Sequence, residues 1–422
     1  MDEKHLAINA VRKKLLGKTL NYEEIYAIMD EISKKKFGDV LTTYFAASGY
    51  SKGFSDQELY YLTKAMVETG EKLSFPGIVA DKHSIGGVPA TRTTPIVVSI
   101  IAAAGFKIPK SSSRAITSPD GTADDMEVLA PVNLTKEKIL DVIKKTNACI
   151  VWGGSFHLAP ADDIIIQVEK PLIFESYDKV VVSIMAKKIA FGSNHIVIDL
   201  PYGKHVKVHT LEDAKTLSKK FEMLAKKFKI KIKVLIYKTD EPAGRGIGPV
   251  LEIRDSLKVL EQTKDRPIDL EVRSLTIATA LLELCFEDSP NKEKMLKDFG
   301  NPYNLALTIL QKKIALEKFK QIIKAQGGNP NITSNKLILG KHIYEEKATK
   351  PGIINELNIK NITHIAKILG APEMKKAGIY LNKKIGESVE VGDVLYTLFS
   401  EKVYNLKEGK ESLKNFPIEV YE

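Results

Sequence analysis

Short apolar runs, GIVAD, ACIVW, HIVIDL and KIKVLIY, recur between residues 77 and 237, separated by helix-patterned segments such as TPIVVSIIAAAG and LEDAKTLSKKFEMLAKKF. A strand that is apolar throughout is buried on both faces, and helical crossovers between strands make neighbours parallel. The reading is therefore α/β, a large lobe with a mostly parallel sheet. The first 70 residues read as helices. Ser55 to Glu58 (SDQE) is a capping box at the start of LYYLTKAMVET, and Gly70 is placed to close that helix. Between ACIVW and HIVIDL, LAPADD and SYDKVVVSIMAKKIA read as helices around a bend at KPLIFES. That excursion is expected to rejoin the N-terminal helices. The expected domains are 1–70 with 156–190 as a helical lobe, 71–155 with 191–345 as an α/β phosphate-binding domain, and 346–422 as a C-terminal β-rich domain. The last, AGIYLNKKIGESVEVGDVLYTLFSE, resembles the barrel-sandwich halves of biotinyl and lipoyl carrier domains. Lys375 lacks the hairpin context of a carrier lysine, so this α+β tail reads as an accessory domain.

The 422 residues hold two cysteines, Cys149 and Cys285, and no CxxC or HExxH pattern. No run of about 18 apolar residues argues for a membrane span. The N-terminus, MDEKHLAINAVRKK, lacks an apolar signal segment. A reduced, cytoplasmic setting is the simplest expectation. The net charge of +10 fits an anionic small substrate or a Lys-rich solvated surface. No aromatic RNA-binding cluster or helix-turn-helix pattern supports a nucleic-acid partner.

Chemistry concentrates in two loops. VADKHSIGGV ends an apolar run with Lys82, His83 and Ser84 and then bares its backbone at Gly86 and Gly87. Exposed NH groups with a cation and a hydroxyl suit an anion. The second loop, Ser111 to Ser118, is dense in hydroxyls, carries Arg114, and leads to Gly121, Thr122 and a helix expected at ADDMEVLA, where an anion is favoured. Thr122 also suits that helix as an N-cap. Neither loop is a Walker A. Gly244 to Gly248 (GRGIG) lacks the dinucleotide spacing and reads as a sharp turn. His205 and His209 are four apart, but HVKVHT alternates like a strand and no carboxylate completes a metal set. His83 is placed for proton transfer or hydrogen bonding.

DKHSIGGVPATRTTP, the SSSRAITSPDGT loop, LAPADD and SIMAKK, in this order, resemble the thymidine and pyrimidine nucleoside phosphorylase superfamily over nearly the whole chain. TADDMEVLAPVNL and GRGIGPVLE resemble its archaeal branch, the AMP phosphorylases. The resemblance implies dimers of a helical lobe and a closing α/β lobe. It implies phosphorolysis, in which inorganic phosphate attacks the anomeric carbon of a nucleoside 5′-monophosphate and the base leaves. The branch takes AMP, with CMP and UMP, and releases ribose 1,5-bisphosphate. Phosphate is a co-substrate, and no metal or organic cofactor is implied. Carried over by resemblance, Lys82, Ser84, Thr93, Ser112 and Thr122 hold phosphate. Gly87, Ser113, Arg114, Ala115, Ile116, Thr117, Ser118, Thr122, Ser183, Lys187 and Lys207 contact the nucleotide. Glu175 stands where the branch places an aspartate that protonates the base, with Asp178 as the alternative, and His83 is the second catalytic candidate.

Where thymidine phosphorylases carry an arginine after APAD, this chain has Asp163, which cannot donate to a pyrimidine carbonyl. That favours a nucleotide phosphorylase over a nucleoside enzyme, the main rival. Anthranilate phosphoribosyltransferases share the architecture but need metal-binding acidic motifs, of which DGTADD is suggestive. AMP phosphorylases usually begin with a further domain of roughly 80 residues, whereas this chain starts at the helical lobe. A homodimer through the N-terminal helices is the expected assembly.

Overall fold

The computed structural model describes residues 3–115, 118–156, 158–169 and 176–421. Helices α1 (Glu3–Leu15), α2 (Tyr22–Ser33), α3 (Asp39–Lys52) and α4 (Asp56–Glu68) open the chain. The SDQE box forms as read, with Ser55 and Glu58 capping each other's backbone at the start of α4. Glu58 also accepts from Leu20 N at 3.0 Å and from buried Lys14 at 2.8 Å. One carboxylate thus ties α4 to α1 and to the turn after it. Gly70 follows the end of α4, but a left-handed closure is not its reason. A Cβ there would meet the Leu158 carbonyl oxygen at 2.1 Å, so close backbone approach requires glycine.

The second lobe is built on β1 (Ala80–Ser84), β2 (Ile108–Ser112), β3 (Ala148–Trp152), β4 (His195–Tyr202) and β5 (Lys231–Lys238). β1, β4 and β5 pair in parallel, and so do β2 and β3. A parallel bridge between Val79 and Lys107 joins the two groups in the order β3-β2-β1-β4-β5. The chain leaves β1 toward β2 and β3, then returns to lay β4 on its other side. That reversal opens a crevice at the carboxyl ends of β1, β2 and β4.

The intervening helices are α5 (Thr94–Ala103), α6 (Thr122–Met126), α7 (Lys136–Thr146), α8 (Pro160–Glu169), α9 (Tyr177–Ala190) and α10 (Leu211–Lys227). α5 is apolar on all sides and buried, covered by α12 (Ile268–Glu287) and α15 (Ile314–Gln326). α8 and α9 pack on α2, α3 and α4. Along β4, Ile196, Ile198 and Leu200 join the core of these helices, while Val197 joins the core around α5. Period-two alternation thus fastens the helices to one face of the sheet. α6 is shorter than ADDMEVLA suggested. It ends at Met126, and Glu127 to Leu129 turn before Pro131.

α11 (Pro249–Glu261), α13 (Lys292–Phe299) and α14 (Pro302–Gln311) complete this lobe. The GRGIG turn contains a short strand, β6 (Gly246–Ile247). The C-terminal part holds β7 (His342–Lys347), β8 (Gly352–Leu357), α16 (Ile359–Leu369), β9 (Gly378–Leu381), β10 (Ser388–Val389), β11 (Val394–Ser400), α17 (Val403–Ser412) and β12 (Glu419–Tyr421). β6 pairs antiparallel with β9, so the turn also splices the α/β lobe to the C-terminal sheet β6-β9-β11-β7. HVKVHT is not a strand. Gly203 N donates to Val208 O at 3.0 Å and Lys207 N to Gly86 O at 3.3 Å, which curls it into a loop against the glycine turn. Among the described residues no helix is long and apolar enough to cross a membrane.

Candidate active site

Lys82 and Ser84 belong to β1 itself, and the loop starts only at Ile85. Two residues apart on a strand, they share a face. Lys82 is 2% exposed, and its ammonium donates to Ser84 Oγ at 2.9 Å and Thr93 Oγ1 at 2.7 Å. Thr93 stands at the N-cap of α5, yet its side chain makes no capping bond, being turned to Lys82 instead. An ammonium only donates, so both hydroxyls accept from it and must send their own hydrogens elsewhere. Among the described residues neither hydroxyl has an acceptor. Ser112 Oγ is buried and without a hydrogen-bond partner there. Continuing the Val79–Lys107 register sets Ser112 level with Ser84.

The crevice floor carries an excess of buried cation. Asp81 pairs with Lys188 at 2.8 Å, lies 4.0 Å from Lys110, and accepts from Ser193 at 3.2 Å. Burial pushes the Lys82 ammonium down to about 7, and the charges of Arg92, Arg273 and Lys188 add to the effect. Lys110 is driven well below its usual range by burial and by Lys188. His83, on the other face of β1, is held well below its usual value by burial and by Lys188, Lys110, Lys82 and Lys187. It is therefore neutral near pH 7, which suits a hydrogen-bonding role and removes it as a ready acid.

The glycines are needed for two reasons. A Cβ on Gly86 would lie 2.5 Å from Pro201, and Gly87 has a left-handed φ of +58°. A Cβ on Gly87 would also meet the Lys207 side chain at 3.6 Å, so the glycine turn and Lys207 are neighbours.

The second loop is pinned by DGTADD. Asp124 accepts from Ala115 N at 2.7 Å and Gly121 N at 2.9 Å, fixing both ends of the loop. Ser118 Oγ donates to Asp120 O, and Ser113 O accepts from Ala123 N. The Arg114 guanidinium is not left for a substrate anion. It pairs with Glu127 at 2.7 Å and Asp124 at 3.1 Å and lies over the Trp152 ring. Lys375 reaches the same two carboxylates at 3.1 and 3.3 Å, so the C-terminal domain braces this loop. Thr122 is not an N-cap. Gly121 holds that position, and Thr122 Oγ1 accepts from Arg92 at 3.0 Å. Asp120, Asp125 and Glu252 form the constellation best spaced to hold a metal among the described residues, but Arg92 is ion-paired with all three.

Where the lobes meet, Asp162 is fully buried and gathers Ser183 and Lys187. Ser183 Oγ donates to it at 2.7 Å, and Lys187 Nζ lies at 2.6 Å, with Asp163 at 3.8 Å. Burial opposes the Lys187 charge, but the two carboxylates outweigh it and raise its pKa. Asp178 is not a free acid. It accepts from Phe54 N at 3.1 Å and pairs with Lys220, tying α9 to α10 and to the turn before α4. A cavity of about 220 Å³ opens between α9 and the glycine turn, lined by Ile85, Tyr177, Lys207 and His209 among others. His205 bonds Glu356 of the C-terminal domain at 2.8 Å and takes no part. Ile116, Thr117 and Glu175 lie outside the described residues.

Sequence reasoning missed Arg92, Lys110, Lys188 and Arg273. Arg273 reaches from α12 to Asp199 on β4, level with Ser84 at the end of β1, its guanidinium 3.3 Å from the centre of the Tyr237 ring. Arg92 and Lys188 sit inside quoted motifs, beside residues that drew the attention. Arg273 carries no local signal, because its partner is 74 residues away.

Residues 8–70 match the helical bundle domain and 77–292 the a/b domain of the glycosyl transferase family, and 353–417 match the pyrimidine nucleoside phosphorylase C-terminal domain. Fold and site therefore define a glycosyl transferase with a phosphorylase-type C-terminal domain. Among its relatives is the AMP phosphorylase of Methanococcus maripaludis, 43% identical over 94% of this chain and 77% of that protein. Those of Thermofilum pendens and Methanocaldococcus jannaschii are each 41% identical, over 97% and 99% of this chain and 77% and 81% of theirs. The chain belongs to the AMP phosphorylase family. Among solved structures, anthranilate phosphoribosyltransferase from Thermus thermophilus shares the fold, with a TM-score of 0.60 at 17% identity, over 75% of this chain and 99% of that one.

Proposed function

We propose that this chain catalyses phosphorolysis of nucleoside 5′-monophosphates, AMP together with CMP and UMP, giving free base and ribose 1,5-bisphosphate. One observation carries the reading. Lys82 holds Ser84 and Thr93 so that their hydroxyl hydrogens lack an acceptor among the described residues, on a cationic crevice floor at a topological switch point. Such a set receives an oxyanion. Ser112 and Thr122, on the neighbouring strand and at the start of α6, extend it. Phosphate held there needs no general base, because it is already a nucleophile. It needs desolvation and alignment with C1′.

Attack forms the C1′–O bond as the C1′–N bond breaks, and the electron pair of that bond leaves with the base. The base must then gain a proton or a strong donor, the role proposed for Glu175. Ser183 and Lys187, gathered by Asp162, are proposed to face the base. Lys207, at the cavity beside Gly87, is proposed to meet the nucleotide. Arg114 supports the loop rather than the substrate. The exposed Val40 and Tyr44, one turn apart on α3, and Leu16 offer an apolar face for the proposed homodimer, checked by light scattering.

The test incubates AMP, CMP, UMP, adenosine and thymidine separately with and without phosphate and measures free base. Release is expected from the monophosphates only, and only with phosphate. Thymidine turned over as fast as AMP would favour a pyrimidine nucleoside phosphorylase.

A further inference from the structure

We propose that Arg92 is a positioning residue that fixes the polarity of the Thr122 hydroxyl, so that Thr122 donates its hydrogen to the bound phosphate. The inference rests on the reading of Thr122 as a phosphate ligand and goes beyond it by assigning what orients that ligand. Thr122 Oγ1 lies 3.0 Å from Arg92 Nη1. A guanidinium has no lone pair to offer, so Thr122 accepts on that side and its own hydrogen must point elsewhere. Among the described residues nothing accepts it.

Arg92 cannot serve the anion itself. Its Nη2 is 2.7 Å from Asp120, and its Nε pairs with Asp125 and lies 3.0 Å from Glu252. All three carboxylates are at most 1% exposed. Its backbone carbonyl accepts from Ser256 at 2.9 Å, and Glu252 also accepts from Ala90 N at 2.7 Å, so main chain and side chain are both held. Asp120, Asp125 and Glu252 thus confine a cation that turns its remaining nitrogen to one hydroxyl. Lys82 treats Ser84 and Thr93 in the same way, so a buried and a partly buried cation polarise three hydroxyls as donors.

The test is a double-mutant cycle of phosphate KM and kcat with AMP, using R92K, T122V and the double variant. R92K keeps a charge among the carboxylates but loses the fork. Each single change is expected to raise phosphate KM about tenfold, as for loss of one hydrogen bond to a charged group. The double variant should cost no more than T122V alone, while the loss of Tm from R92K should be the same in both backgrounds. Should R92K fail to fold, D125N loosens Arg92 with two carboxylates left, and it should raise phosphate KM in the Thr122 background only. An R92K or D125N penalty fully retained beside T122V would overturn the inference, as would an unchanged phosphate KM in T122V. Base release by the unaltered chain that ignores phosphate would instead sink the phosphorylase reading.

Discussion

Lys82 carries a large electrostatic cost and yields the sharpest single-residue expectation. Its ammonium is buried with other cations around it and is lowered to about 7, so at pH 8 much of it is neutral. An anion seated on it restores the charged form, so binding must draw in a proton. Sulfate does not titrate near neutrality and isolates this proton from those of phosphate. Calorimetry of sulfate binding at pH 8 in buffers of different ionisation enthalpy should show net proton uptake that shrinks toward pH 6. The uptake should vanish in K82M, together with phosphate-dependent turnover; equal uptake in K82M would place the proton elsewhere. Glu175→Gln should slow kcat by roughly 10²-fold or more, the scale of general acid catalysis, with nucleotide binding little changed. Unchanged kcat would assign the proton to another group.

At the scale of elements, Glu58 and Lys14 form a buried pair between α4 and α1. Burial raises the Glu58 pKa, but hydrogen bonds from Lys14, Ser55 and Leu20 outweigh it and bring the pKa below the ordinary value. Its stabilisation is therefore present above the unfolded value and is lost as pH falls through the folded one. E58Q leaves Lys14 buried and unpaired and should cost about 3–5 kcal/mol at pH 7, with a flatter acid limb in denaturant melts. The Lys375 brace is different, being about 30% exposed. K375A should raise nucleotide KM only about threefold, less at high salt, because partly exposed pairs are weak and screened.

The capping box, the apolar strands and α10 were legible because their signals are local. HVKVHT was not, since its alternation is undone by contacts to Gly86 and within its own loop. The end of α6 was missed, because ADDMEVLA runs to the residue before Pro131 while the helix already stops at Met126.

Across the whole molecule, the site lies where a sheet reversal, a glycine turn and a returning helix pair converge. Lys82, Ser84 and Thr93 could be read because one quoted motif, DKHSIGGVPATRTTP, holds all three. The cation excess behind them could not, since Lys110, Lys188 and Arg273 arrive from β2, α9 and α12 and meet only on folding. For the same reason nothing in the SSSRAITSPDGT loop announces that Glu127 and Asp124 pair with Arg114. The central claim is that the ends of β1 and β2 and the start of α5 grip one inorganic anion. Its most direct test is a crystal structure of the chain soaked in phosphate at saturating concentration. The ion should sit within about 3 Å of Lys82 Nζ, Ser84 Oγ and Thr93 Oγ1. Only water between those groups, with phosphate bound elsewhere or nowhere, would contradict it.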